Sequence, residues 1–88
     1  MNANNYRLVE VRWLDAEDHG DPGWNELKAM KRYAKKPAPI MNSVGYVLYE
    51  GPDHISLAST VSDIQCSIVE KIPKGCILNI REIKYSKV

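Results

Sequence analysis

Phenylalanine is absent from this chain of 88 residues, so its aromatic content is all tryptophan and tyrosine. Cysteine is scarce as well. Cys66 and Cys76 are the only two, too few for a disulfide scaffold. They are also badly placed for a single bridge. With a corner at Pro73-Lys74-Gly75, Cys76 sits beside the turn and Cys66 lies six residues before Ile72. At the rise of an extended strand that separates the two by roughly 20 Å, against a Cα limit of about 7 Å for a disulfide. Both therefore read as small buried apolar residues in a reducing compartment.

Long hydrophobic runs are missing too. No stretch reads as a signal peptide or approaches the length needed to cross a bilayer, which suits a cytoplasmic chain with no membrane partner. A single sign of charge is also lacking. The formal net charge is +1, so nothing attracts nucleic acid globally. A length of 88 residues predicts one domain with a modest core, burying about two-thirds of its unfolded surface. Oligomerisation is a common remedy for so small a core.

What is present has a clear order. Met1 to Asn5 is polar and reads as a disordered N-terminus. In "YRLVEVRWLD", Val9, Val11 and Trp13 alternate with Glu10 and Arg12, the pattern of a half-buried strand. "AEDHGDPG" reads as a loop. Asp21-Pro22 supplies a helix cap and a first-turn proline, which predicts a helix over 22–36. Trp24, Leu27, Met30 and Ala34 would form its buried stripe, and Pro37 and Pro39 would end it.

Charge is polarised locally. Lys28, Lys31, Arg32, Lys35 and Lys36 fall on the arc opposite that stripe, with no acidic residue between Leu27 and Ser43. Glu10, Asp15, Glu17, Asp18, Asp21 and Glu26 precede them. The basic face is either a solvated surface or a contact for phosphates or an acidic partner.

From Val44 onward the pattern is β, a four-stranded portion over 44–83. Val44, Tyr46 and Leu48 share one face, then Ile55, Leu57 and Val61, then Cys66, Ile68 and Ile72 with Val69 opposite. In "CILNIREI", Cys76, Leu78 and Ile80 share a face while Ile77 and Ile83 lie on the other. A hairpin centred on Lys74 would pair Ile72 with Cys76 and keep the even-numbered residues together. Ile77 and Ile83 then have no place in a one-sided core. They pack under the helix or meet another subunit. Five short strands bending around a small core make a small barrel.

"GYVLYEGPDHISL" and "IPKGCILNI" carry a resemblance. Both are similar to the two conserved segments of Sm-like (LSm and Hfq-type) proteins, through Gly45, Val47, Asp53, Ile55 and Leu57, and through Lys74, Gly75, Ile77 and Ile80. The match spans residues 44 to 83. It departs from the family in the loop and helix filling the first strand connection, in a longer turn before Asp53, and in having Ser56 near where an RNA-contacting Asn usually stands. The wider pattern, with Trp13-Leu14-Asp15, Gly23-Trp24, Ser43-Val44-Gly45, Leu57-Ala58, Ser62-Asp63 and Ile72-Pro73, resembles small phage proteins.

The resemblance implies a mainly β, strongly bent five-stranded Sm-like (SH3-like) barrel with one α-helix between strands 1 and 2. It implies a homo-oligomeric ring, pentamer to heptamer, joined through the fourth and fifth strands with Val69, Ile77 and Ile83 at the interface. It implies single-stranded RNA at Asp53, His54 and Lys74, with Lys28, Lys31, Arg32 and Lys35 as a second phosphate contact, in the host cytoplasm if the chain is phage-encoded. A lone Lys74 at a corner is ordinary, but ring symmetry would repeat its charge. His54 either stacks on a base or is a turn-edge histidine in solvent.

The competing expectation is a protein-interaction module acting on a host or virion protein. Catalysis is not expected, because no nucleophile–base pair, phosphate loop or Cys-His pattern appears. His19 among Asp15, Asp18 and Asp21 lacks the spacing of a zinc or EF-hand site, so no metal or other cofactor is expected.

Overall fold

Strand β1 (Leu8–Leu14) forms as its alternation predicts, with Val9 and Val11 fully buried and Trp13 packed against them. The computed structural model of the protein describes residues 5–84. The expected disordered N-terminus therefore lies, but for Asn5, outside the described residues. After β1 come α1 (Leu27–Ala34), β2 (Ile40–Glu50), β3 (His54–Ala58), β4 (Val69–Pro73) and β5 (Ile77–Glu82). The five strands form one antiparallel sheet in the order β4-β3-β2-β1-β5.

The Pro73-Lys74-Gly75 corner is not a hairpin. β4 pairs with β3 and β5 pairs with β1, so the corner joins the two opposite edges of the sheet. Ile72 and Cys76 consequently do not face each other across a ladder. The join is the 3₁₀ turn Lys74–Cys76. In a flat sheet the edge strands would stand about 19 Å apart, four steps of about 4.8 Å. The four Cα steps from Pro73 to Ile77 reach at most about 14 Å. The sheet must therefore curl, and its core face, with Val9, Val11, Ile55, Leu57 and Ile72, lies inside the curl.

Bulges decide which side chains reach that core. Val11 faces Ile80 and Arg12 faces Asn79, but Trp13 faces Ile77, so Leu78 is left over. This extra residue reverses the parity of β5. Ile77 and Ile80 both pack on the core, while Leu78 is 51% exposed. Strict alternation had set Ile77 apart and grouped Leu78 with Ile80, and the bulge overturns both expectations. In β2 the parity is likewise the reverse of the expectation. Gly45 pairs with Val9, and Val47 pairs with Leu57 and packs on the core, whereas Val44 is exposed. A glycine hid this register, because an apolar pattern has no mark for a core position without a side chain. A Cβ at Gly45 would stand 3.0 Å from the Ala58 carbonyl oxygen and 3.1 Å from Leu57 Cβ.

The expected fourth strand is shorter than predicted. Cys66 and Ile68 do not share the burial of Ile72; both are exposed. Residues 59–68 form a tight connection instead. The Ser67 hydroxyl oxygen accepts from the Ser59 and Thr60 amides, and Val61 bridges Cys66. Both cysteines are free, with Cys66 exposed and Cys76 half-buried, so neither is the buried apolar residue expected.

The helix begins at Leu27, not at Pro22. Gly23 has φ +96°, which no right-handed helix contains. Asp21 is engaged with Asn25 through two reciprocal hydrogen bonds of 3.0 Å, and the cap is Glu26. Its Oε2 accepts from the Lys28 and Ala29 amides at 2.6 and 3.2 Å. The expected buried stripe does not form. Trp24 is 100% exposed and Leu27 67% exposed, and no helix residue is buried.

The helix and its loop project as an arm from the β1–β2 end, closed at its base by the Asp15 amide donating to the Pro39 carbonyl. The radius of gyration is 17.7 Å, against about 12 Å for a compact domain of this length. The long dimension is 55 Å.

Candidate functional site

The two turns named from the sequence do meet. The Lys74 amide donates to the Asp53 carbonyl at 2.8 Å, because β4 delivers Pro73 opposite His54 at the end of its ladder. The turn before them is closed by the Gly51 amide and the His54 carbonyl at 2.9 Å. His54 Nδ1 lies 2.8 Å from Asp53 Oδ1. The imidazole holds the Asp53 carboxyl below its ordinary range, chiefly by that hydrogen bond.

Tyr49 completes the cluster. Its ring centroid is 5.2 Å from that of His54, tilted by 36°, and the residue is half exposed. Sequence reasoning missed it, because alternation only turns Tyr49 outward and does not bring its ring beside that of His54 across the turn. A tyrosine and a histidine side by side at an open turn can stack on flat rings. The hydroxyl, the imidazole and Asp53 can hydrogen-bond to them.

Lys74 is not a free cation. Its Nζ donates to Glu50 Oε2, and the other Glu50 oxygen accepts from Arg7 Nη1 at 2.7 Å. Arg7 also holds Glu82 through two hydrogen bonds of 3.0 and 2.9 Å. Glu50 is pulled below the usual carboxylate range by Lys74 first and Arg7 second. Glu82 is lowered by Arg7, and the Arg7 guanidinium is raised by both carboxylates. Two cations face Glu50, Glu82 and Asp53, so the corner carries no excess of positive charge. The partners lie 75 and 43 residues apart in the chain, and nothing in a local pattern could have disclosed them.

Lys28, Lys31, Arg32 and Lys35 lie elsewhere. Lys28, Lys31 and Arg32 sit on α1 and Lys35 caps its end, beyond the Ile40 end of β2, whereas the cluster lies at its Glu50 end. β2 separates the two by about 33 Å of strand path. None of these helix cations, nor Lys36, forms an ion pair among the described residues.

Of the residues expected at an interface, Val69 is 39% exposed on edge strand β4, and Ile83 follows β5 with its amide donating to the Leu8 carbonyl. Ile77 faces the core, which removes the parity argument that had set it aside. The outer edges of β4 and β5 have no neighbouring strand among the described residues.

Among the described residues no group of three or more His, Cys, Asp or Glu could hold a metal ion, and no helix is long and apolar enough to cross a membrane. Comparison with protein-family models, with curated proteins and with solved structures finds no match. The corner is thus a mixed aromatic and polar surface with nearly balanced charge, two cations against three carboxylates, on the curled edge of a five-stranded sheet.

Proposed function

We propose that the chain is a non-enzymatic Sm-like (SH3-like) barrel that assembles into a closed homo-oligomeric ring and binds single-stranded RNA at the Asp53–Lys74 corner. The observation that carries the reading is the joining of the two turns through Lys74 and Asp53, with Tyr49 and His54 side by side upon them. The outer edges of β4 and β5, unpaired among the described residues, support ring formation, since edges left open invite pairing with another chain.

Because Lys74 is held by Glu50, the site acts on bases more than on phosphates. Tyr49 and His54 stack, and Asp53 accepts from a base edge. Stacking of this kind contributes about 1–3 kcal/mol per base. Binding at the corner therefore depends only weakly on salt, unlike a phosphate clamp.

The test is a titration of fluorescent single-stranded RNA and DNA with the wild type and with Tyr49→Ala and His54→Ala. Affinity that drops roughly tenfold in each variant, as the loss of about 1.4 kcal/mol of stacking implies, supports the reading. Absence of binding to any single strand at low salt defeats it. The balanced charge of the corner favours a second reading, docking of a host or virion protein on the same aromatic surface. Capture of a protein ligand that Tyr49→Ala abolishes, with no RNA binding, would establish it.

A further inference from the structure

The arm between Asp15 and Pro39 is unfinished as a single chain. Its helix has eight residues and buries none of them, whereas isolated helices below about 12 residues are marginal in water. Local contacts hold it. The Tyr33 hydroxyl donates to Glu17, its ring stacks on His19 at 4.3 Å, and Asn25 clasps Asp21. These contacts lay the acidic limb, residues 15–21, beside the returning helix. Trp24 and Leu27 stand exposed at the turn between the two.

Charge and apolar surface on this arm are both unsatisfied. It carries five acidic residues (Asp15, Glu17, Asp18, Asp21, Glu26) and five basic ones (Lys28, Lys31, Arg32, Lys35, Lys36). Yet no acidic–basic ion pair forms within it among the described residues. At about 100° per residue Lys28, Lys31 and Arg32 occupy one continuous arc of α1, and Lys35 and Lys36 follow directly at its C-terminal end. The arm thus has one negative limb and one positive limb. Its base offers a second apolar site. Leu14 and Ile40 are a cross-strand pair on the face of the sheet away from Val9 and Val11, 38% and 46% exposed.

We propose that the arm is a dimerisation element whose partner is the arm of a second copy, lying antiparallel across a twofold axis. A twofold contact places the same patch against itself. With a negative and a positive limb on that patch, the rotation sets each limb against its opposite, twice over. The same rotation carries the tip of one arm to the base of the other. Trp24 and Leu27 of one copy then cover Leu14 and Ile40 of its partner. The two tryptophans alone supply about 300–500 Å² of the 1,200 Å² or more that a stable interface buries. An unrelated polyanion would match only the positive limb and leave the negative limb and both apolar sites open.

This pairing does not rest on the RNA-binding ring. It changes the mass of the assembly twofold whatever the edges of β4 and β5 do. The experiment is sedimentation equilibrium at low salt on three purified chains: the wild type, Lys31→Glu with Lys35→Glu, and Asp18→Lys with Asp21→Lys. The first double variant shifts the arm from five acidic and five basic residues to seven and three, and the second shifts it to three and seven. Alone, each should show half the wild-type mass, and an equimolar mixture should regain the wild-type mass. Trp24→Ser, at a fully exposed side chain, should also halve the mass without changing the circular dichroism.

Equal mass in all chains overturns the proposal, as does a mixture that fails to regain the wild-type mass. A wild type whose arm pairs only after RNA is added, with Lys31→Glu abolishing the shift, assigns the arm to nucleic acid and overturns it equally.

Discussion

Replacing Ile77 and Leu78 separately by alanine tests the register of β5. The bulge places Ile77 on the core and turns Leu78 outward, 51% exposed. Removing a buried isoleucine side chain costs about 2–5 kcal/mol. Ile77 is only partly buried, so the low end applies, about 2 kcal/mol. Leu78→Ala removes a side chain from an open face and should cost about 0.5 kcal/mol. The stability of a chain this size is about 4–13 kcal/mol, so the first loss is a large share of it. With a urea m-value of about 1 kcal/mol/M, the midpoints should fall by about 2 M and about 0.5 M. Repeating each urea titration at a tenfold different protein concentration separates folding from assembly, because a loss of subunit contacts depends on concentration and a loss of core does not. If Leu78→Ala proves the costlier substitution at both concentrations, Leu78 is the core residue, strict alternation holds in β5, and the bulge is refuted.

Further outcomes follow from the same geometry. Gly45→Ala places a Cβ 3.0 Å from the Ala58 carbonyl oxygen and 3.1 Å from Leu57 Cβ. Backbone of a paired strand cannot rotate aside, so a loss of about 1–3 kcal/mol is expected in thermal unfolding. The Glu50, Glu82 and Asp53 carboxyls all lie below their ordinary values of 4.5, 4.5 and 3.8 in the folded chain. Their contribution is complete above those values and is lost as pH falls through the depressed ones. Acid unfolding of Glu50→Gln should therefore be less steep with pH than that of the wild type. The Tyr33 hydroxyl, pushed up from 10.0 to about 12 chiefly by its hydrogen bond to Glu17, should titrate near 12 by ultraviolet absorbance. Glu17→Gln should bring it back toward 10. A Tyr33 that titrates at its ordinary value in the wild type would show that the acidic limb is not clasped to the helix.

Where local pattern and tertiary pairing agreed, the sequence was sufficient. Strand β1, the β3 residues Ile55 and Leu57, the order of elements and the mainly β class could all be read from alternation and turn residues. The failures have separate physical causes. The helix start was misread because Asp-Pro looked like a cap, while Gly23 at φ +96° and the Asp21–Asn25 clasp use the same residues for a loop. The β2 face was misread because Gly45 occupies a core position with no side chain, and β5 because a bulge is silent in an apolar pattern. The corner reads as a hairpin because a short Pro-Lys-Gly link most often joins neighbours. Here it joins the far edges of a sheet, which only the pairing of β1 with β5 makes possible.

That join also bears on the ligand. By drawing Lys74 under Glu50, it gives a lysine that looked like a phosphate contact the role of an ion-pair partner. Removing Glu50 should then act in two ways at once. Glu50→Gln frees Lys74, while Arg7 keeps Glu82, and leaves two cations against the two carboxylates Glu82 and Asp53. Stability should fall by no more than about 1 kcal/mol, since the pairs are solvent-accessible. If RNA lies at this corner, its affinity should rise and become more dependent on salt, because the released Lys74 can now meet a phosphate and the corner has lost one negative charge. A protein ligand that recognises the balanced surface should instead bind more weakly. The sign of the change in affinity, read in one titration at two salt concentrations, therefore distinguishes a site for bases from a site for a protein surface.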